Sequence, residues 1–248
     1  MDFLINKVKQ KKELSGISDK VVLNVIEKQL KKYPSPLSNS SIKKIIKETR
    51  AQLRQYSGRF KSSLKDQISL LQLNKIDSLL NTHSSTKERI DFYPKLKEII
   101  KELKIKSILD LGSGINPIAL AEKGVFYHAS DINENDLKIV NGFFEKSGIA
   151  GKAFVQDLTK DFSYPSADLT LIFKVFDVIE KKGHKLAEKI ISSLNSKNII
   201  VSFPTKTLSG KPMNHPQRGW IERMLSRLGH SFKTFSSKNE IFYLIEKH

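Results

Sequence analysis

Apolar positions in the first eighty residues recur at helical spacing and nowhere at strand spacing. Beyond Ser18, a candidate N-cap, Val21, Val22, Val25, Ile26 and Leu30 mark one face of a helix that the prolines at 34 and 36 end. After Asn39 and Ser40, a second apolar stripe runs through Ile42, Ile45, Ile46, Thr49, Leu53 and Tyr56. A third helical stretch is expected over 60–81, with Leu64, Ile68, Leu71 and Leu79 facing inward. Ser85 and Glu88 have the spacing of a capping box and open a helix that carries Ile90, Tyr93, Leu96, Ile99, Ile100 and Leu103.

From residue 107 the period changes. Apolar runs at 107–112, 125–132, 152–158, 168–175 and 198–204 read as strands, with helices near 116–122, 135–147 and 183–194 between them. Such alternation predicts an α/β fold around a parallel, doubly wound sheet. The last two strand-like runs, 232–236 and 240–246, are separated only by Ser237, Lys238 and Asn239, which predicts an antiparallel hairpin at the sheet edge. The expected organisation is an all-helical domain over 1–82, then an α/β domain over 83–248 with a mostly parallel, seven-stranded sheet. No internal repeat or low-complexity tract interrupts it.

Composition narrows the function classes. With 39% hydrophobic and 28% charged residues, the 248-residue chain is neither disordered nor fibrous. The absence of cysteine excludes disulfides, thiolate zinc sites, iron–sulfur clusters and a cysteine nucleophile, and suits a reducing compartment. No apolar run approaches the roughly 18 residues of a membrane helix, and Met1 to Lys7 lacks a signal-peptide core. A soluble cytoplasmic protein without membrane association is expected.

The net charge is +17, and its distribution is uneven. Residues 1–82 hold 17 Lys+Arg against 7 Asp+Glu, an excess of +10, whereas residues 83–248 hold 26 against 19, an excess of +7. That bias suits a polyanion such as nucleic acid, although lysine-rich surfaces also serve solubility. Lys43, Lys47, Arg50 and Arg54, at i, i+4, i+7 and i+11, form a basic stripe beside the apolar one. The stripe fits either a helix tracking a phosphate backbone or an ordinary solvated face.

The first strand runs into Asp110-Leu111-Gly112-Ser113-Gly114-Ile115-Asn116-Pro117. A glycine-rich turn at a strand's carboxyl end offers free backbone N–H groups and a close approach to a ligand. The third glycine of a dinucleotide fingerprint is replaced by Pro117. Asp131, 19 residues beyond Gly112, closes the second strand, where a carboxylate can accept from both hydroxyls of a ribose. Asp157 closes the third, where it can accept from an adenine amino group while Leu158 packs on the ring. A lone aspartate in such a place caps helices as readily as it binds ligands. Three successive strand ends carrying suitable groups point to a cofactor edge.

The acidic residue ahead of Gly-x-Gly resembles motif I of class I S-adenosylmethionine-dependent methyltransferases. More specifically, segments 83–90 (HSSTKERI), 110–120 (DLGSGINPIAL), Gln156-Asp157, 171–174 (LIFK), 202–208 (SFPTKTL) and 240–245 (EIFYLI) resemble the 16S rRNA guanine-N7 methyltransferases of the aminoglycoside-resistance, Arm and Rmt, type. The resemblance covers roughly 83–248, and the basic helical segment is similar in character to that family's N-terminal extension. It implies a Rossmann-like class I methyltransferase fold, S-adenosylmethionine as cofactor, and a guanine N7 in the decoding region of the small ribosomal subunit as target, with the N-terminal segment docking a monomeric enzyme on 16S rRNA. Arg89 would meet the methionine carboxylate, Gly112 and Gly114 the amino-acid part, Asp131 the ribose, and Gln156, Asp157 and Leu158 the adenine. His83 and Asp110 complete the cofactor-binding set, and Phe173 and Lys174 would lie at the target pocket. Segment 209–215 departs from the family's glycine-rich, basic loop.

The chemistry agrees with what is missing. Methylation of a pyrimidine C5 normally uses a cysteine, and methylation of an exocyclic amine uses an Asn/Asp-Pro-Pro-aromatic turn where this chain has Ile172-Phe173-Lys174-Val175. Guanine N7 presents a lone pair and loses no proton, so alignment replaces a general base, and proximity is worth about 7–11 kcal/mol. Phe173 is a candidate to stack on a flipped guanine, or else a core residue at a strand end; Lys174 is a positioning group or phosphate contact. Lys206 and Arg218 are candidate phosphate ligands, Trp220 is expected to pack its own helix, and His83, His215 and His230 show no metal-ligand spacing and are read as non-catalytic. Two other function classes remain: a class I methyltransferase acting on another RNA, a protein or a small molecule, and a non-catalytic ribosome-binding assembly factor.

Overall fold

The computed structural model describes residues 1–34, 36–56, 63–180, 183–207, 210–213 and 216–248. Helices α1 (Asp2–Lys9), α2 (Asp19–Leu30) and α3 (Asn39–Tyr56) close around Val8, Leu14, Ile17, Val22, Ile26 and Leu53, all fully buried. α2 and α3 follow the expected stripes, while α1 is an element that the pattern did not announce. Helices α4 (Leu64–Gln72) and α5 (Ile76–Leu80) replace the single helix expected over 60–81, of which 60–62 lie outside the described residues. Asn74 adopts a left-handed φ of 55°, which no continuous helix accommodates. The core separates these helices from α1–α3, because Leu71, Leu79 and Leu80 pack beneath the sheet.

The expected capping box at Ser85 and Glu88 does not form. α6 (Ser84–Arg89) starts two residues earlier with His83 at the cap, and Ser85 Oγ bonds the His83 ring at 2.8 Å instead. A 3-10 turn and α7 (Tyr93–Glu102) follow in place of one long helix, because Pro94 in the first turn of α7 cannot sit inside a continuous one.

The α/β part reads as expected. It comprises β1 (Ser107–Leu111), α8 (Pro117–Leu120), β2 (Phe126–Asp131), α9 (Glu134–Ser147), β3 (Gly151–Val155), β4 (Leu169–Phe173), α10 (Phe176–Ile179), α11 (Lys185–Ser193), β5 (Asn198–Pro204), α12 (Gly219–Arg227), β6 (Ser231–Ser236) and β7 (Glu240–Glu246). The seven strands run in the order β3-β2-β1-β4-β5-β7-β6, all parallel except β7, which is antiparallel to both neighbours. Alternate residues fill two layers: Ile108, Leu171 and Phe242 pack on one face, Leu109, Ile172 and Tyr243 on the other. The carboxyl ends of β1 to β5 therefore share one edge. Among the described residues, no helix is long and apolar enough to cross a membrane.

Candidate functional site

At that edge the strand ends touch one another. Ser113 N–H donates to Ser130 O at 2.9 Å and Gln156 N–H to Asp131 O at 3.0 Å, so the turns after β1, β2 and β3 lie side by side. β3 ends at Val155, which puts Gln156, Asp157 and Leu158 in the turn rather than on the strand. Gly112 and Gly114 both have positive φ, 66° and 50°. A Cβ on Gly112 would lie 2.6 Å from Val175 Cγ2, and one on Gly114 would lie 3.1 Å from the His83 ring, so both positions need glycine.

Asp131 is tied to this turn. Its Oδ2 accepts from Gly114 N–H at 2.8 Å and its Oδ1 from Asn133 N–H at 2.9 Å, leaving one lone pair on each oxygen for a vicinal diol. Burial raises its pKa against those hydrogen bonds. Asp157 Oδ1 is consumed by the N–H and hydroxyl of Thr159, at 3.0 and 2.6 Å, while Oδ2 takes only Asn24 Nδ2 at 3.3 Å. Gln156 donates to Ser163 O at 3.0 Å, and its buried Oε1 has no partner among the described residues. Leu158 is buried in the layer that includes Leu109 and Leu111.

Beneath the glycine turn lies a buried polar chain. Tyr127 OH and Asn116 Nδ2 donate to Asp110 Oδ2 at 2.8 and 2.7 Å; Asn116 Oδ1 in turn accepts from Tyr93 OH at 2.8 Å and Arg89 Nη1 at 3.3 Å. Arg89 spends its other edge on Glu240, with Nε–Oε2 at 3.0 Å and Nη2–Oε1 at 2.9 Å. Both partners are only 2% exposed at the side chain. Burial opposes the charge on Arg89, but Glu240 and Tyr93 outweigh it and raise its pKa. Burial also lifts Asp110 to about 6, against the hydrogen bonds from Asn116 and Tyr127, and drops His83 to about 4 with help from Arg89. His83 lies 4.0 Å from Asp136, whose carboxyl burial raises well above its ordinary value; with the imidazole held neutral by burial this is not an ion pair.

On the target side, Phe173 is 8% exposed, with the Arg89 guanidinium 4.8 Å over its face and the Phe242 ring edge-on at 5.6 Å. One face is taken by Arg89, so the ring supports the guanidinium from below, and its burial fits the expected alternative of a core residue at a strand end. Lys174, in a left-handed conformation with φ 58°, reaches Glu88 at 2.6 Å and Glu240 at 3.7 Å. Arg218 bonds Asp177 at 2.9 Å and the carbonyls of Pro204 and Pro216 at 3.2 and 2.9 Å, so it staples the segment after β5. Lys206 pairs through its backbone with Pro212. Trp220 packs edge-on against Phe176 and Phe203, as expected; His215 lies outside the described residues.

The basic stripe of α3 does not stand alone. Lys43, Lys47, Arg50 and Arg54 line a cleft of about 430 Å³ that α1 and the turn after it complete with Lys7 and Lys11. Arg50 donates to the carbonyls of Lys7 and Val8, and Arg54 pairs with Glu13 at 2.8 Å, so the two arginines also join α3 to its neighbours. Sequence reasoning missed Glu240, Tyr93, Tyr127 and Asn24. A glutamate opening an otherwise apolar strand was the one visible signal among them.

Comparison with known proteins places this geometry. The model of the family described as ribosomal RNA methyltransferase (FmrO) matches residues 53–244. A Serratia marcescens protein named 16S rRNA (guanine(1405)-N(7))-methyltransferase is 26% identical over 245 residues, covering 95% of this chain and 94% of that one. A Micromonospora rosea protein of the same name is 29% identical over 181 residues, 68% of this chain and 64% of its own length. Among solved structures, the 16S rRNA methyltransferase RmtF in complex with S-adenosyl-L-homocysteine shares the fold with a TM-score of 0.84 at 24% identity, over 100% of this chain and 98% of that one. The 16S rRNA methylase RmtB gives 0.81 at 22% identity, over 100% and 98%.

Proposed function

The chain belongs to the ribosomal RNA methyltransferase (FmrO) family, and on that premise we propose that it transfers a methyl group from S-adenosylmethionine to N7 of a guanine in 16S rRNA, position 1405 being the one named for its relatives. The observation that carries this reading is the shared edge of β1, β2 and β3, where two positive-φ glycines, Asp131 and the Gln156–Asp157 turn converge. The donor set fits the cofactor. Asp131 keeps a lone pair on each oxygen for ribose hydroxyls, Asp157 keeps one for an amino group, and the orphaned Gln156 Oε1 awaits a donor.

Bound S-adenosylmethionine supplies an electrophilic methyl group on a sulfonium sulfur. The chain's own part is alignment. Arg89 is 2% exposed and held by Glu240 and Asn116, so its part is to fix the buried end of the site, and meeting a ligand carboxylate would require its surroundings to open. Gly112 and Gly114 bring backbone close to the ligand, and Lys174 projects from the end of β4 toward the target side. Guanine N7 attacks with its own lone pair and releases no proton, so none of the buried acids has to act as a base. The positive charge passes from the sulfonium to the purine, so the step changes no net charge in the site, and Lys174 is already neutralised by Glu88 and Glu240.

Helices α1–α3 act as the docking domain on the small subunit, while α4 and α5, whose Leu71, Leu79 and Leu80 pack under the sheet, join 83–248 in the methyltransferase domain of a monomeric, cytoplasmic enzyme. The six-cation cleft of α1 and α3 supports that division, since phosphates of rRNA complement it. The test is incubation with labelled cofactor and either assembled 30S subunits or naked 16S rRNA, followed by mapping of the modified base. Label at a guanine N7 of 30S subunits is expected; label on protein alone, or subunit binding without turnover, would overturn the reading.

A further inference from the structure

The docking domain also touches the residues that follow Asp131 and the carboxylate of Asp157 itself. Ser18 N–H donates to Ile132 O at 2.9 Å and Glu134 N–H donates to Gly16 O at 2.7 Å, clasping the residues that follow Asp131. Ile17 pairs with Asn133 in this clasp, and a Cβ on Gly16 would lie 2.4 Å from Asn133 Oδ1. Eight positions on, Asn24 of α2 donates from Nδ2 to Asp157 Oδ2 at 3.3 Å and accepts from Lys160 Nζ at 2.9 Å. One amide thus bridges both ends of the turn after β3. Ile132 and Val155, which border Asp131 and Gln156, pack against the core of α1–α3.

We infer that Asn24 is a positioning residue for cofactor recognition, so that the docking domain sets adenine selectivity without touching the cofactor. The inference rests on the reading of Asp157 as the acceptor of the adenine amino group. Thr159 saturates Oδ1, so the direction of the remaining Oδ2 lone pair decides whether that amine is met, and Asn24 is the side chain that fixes Oδ2. A donor placed on a carboxylate from a separate helix leaves the acceptor fewer orientations, which is preorganisation.

The test compares binding of S-adenosylhomocysteine and its deaminated analogue S-inosylhomocysteine to the full chain by calorimetry. Hypoxanthine presents an oxygen where adenine presents the amine, so the wild type should prefer adenine by at least about tenfold, and Asp157→Ala should lose that preference. Asn24→Ala should weaken S-adenosylhomocysteine by about fivefold and shrink the preference, while the analogue's affinity stays nearly constant. Asn24→Asp, which keeps the shape but sets a like charge against Asp157, should lose more. Lys20→Ala, exposed on the same helix, should match the wild type, and thermal melting of every variant verifies folding. A preference left intact by both Asn24 variants overturns the positioning role alone. A wild type that does not distinguish the two ligands overturns the assignment of Asp157 and the inference with it.

Discussion

The two charged regions of this chain work under opposite electrostatics. Around α1 and α3, six cations line an open cleft, and one of the ion pairs there, Arg54 with Glu13, has both side chains nearly half exposed. Under the strand ends, Arg89, Glu240 and Asp110 are sealed in and every charge is met by a specific partner. The first arrangement attracts a polyanion over a distance and is screened by salt. The second does not act at a distance; it holds one guanidinium in one place, at the cost of desolvation. Under the proposed function, docking and chemistry would divide by dielectric environment as well as by position in the chain.

The contrast can be broken most forcefully at Glu240. Glu240→Ala strands Arg89 as a buried, unpaired charge and should cost about 3–5 kcal/mol in denaturant unfolding, with much of it recovered by an apolar replacement of both partners. His83 comes next. Its ring is held neutral by burial, with a pKa near 4 against an ordinary 6.5, so its stabilising contribution is complete above pH 6.5 and drains as pH falls towards 4. That gap is worth about 3 kcal/mol, and His83→Asn should remove it, visible as the loss of about that much acid destabilisation relative to the wild type between pH 6.5 and 4. Asp110 contributes the opposite slope, since burial lifts its carboxyl to about 6 and acidification through that value relieves it. Asp131→Ala should weaken S-adenosylhomocysteine by roughly tenfold to a hundredfold in calorimetry, and wild-type affinity would remove the ribose assignment. At the surface, Lys43→Gln with Lys47→Gln should lower the salt slope of 30S binding by about 1.4–1.8 and leave cofactor affinity alone. Smallest of all, Arg54→Ala should change stability by at most about 1 kcal/mol, because its partner is solvated.

The sheet and its hairpin were legible because short apolar runs and the helical or short gaps between them determine the topology almost alone. Asp131 and Asp157 were legible for the same reason: a polar residue at the end of an apolar run marks a strand terminus. The helical segment was read less well. Asn74 breaks it through a backbone conformation that composition does not reveal, and α1 is too short to display a stripe. The Arg89–Glu240 pair joins residues 151 positions apart, and only closure of β7 beside β5 brings them together. Phe173 was placed correctly at a strand end, but its burial follows from Arg89 and Phe242, which arrive from elsewhere in the chain. Likewise the α3 stripe was seen as one helix face, whereas the cleft needs Lys7 and Lys11 from α1 and its following turn.

A paired salt titration, following 30S-subunit binding and S-adenosylhomocysteine binding by the same protein preparation, addresses the division between docking and chemistry most directly. Subunit affinity should fall steeply and linearly on logarithmic axes, by about 0.9 per neutralised duplex phosphate, while cofactor affinity measured without subunits stays level. Two parallel lines, whether both flat or both steep, would contradict it.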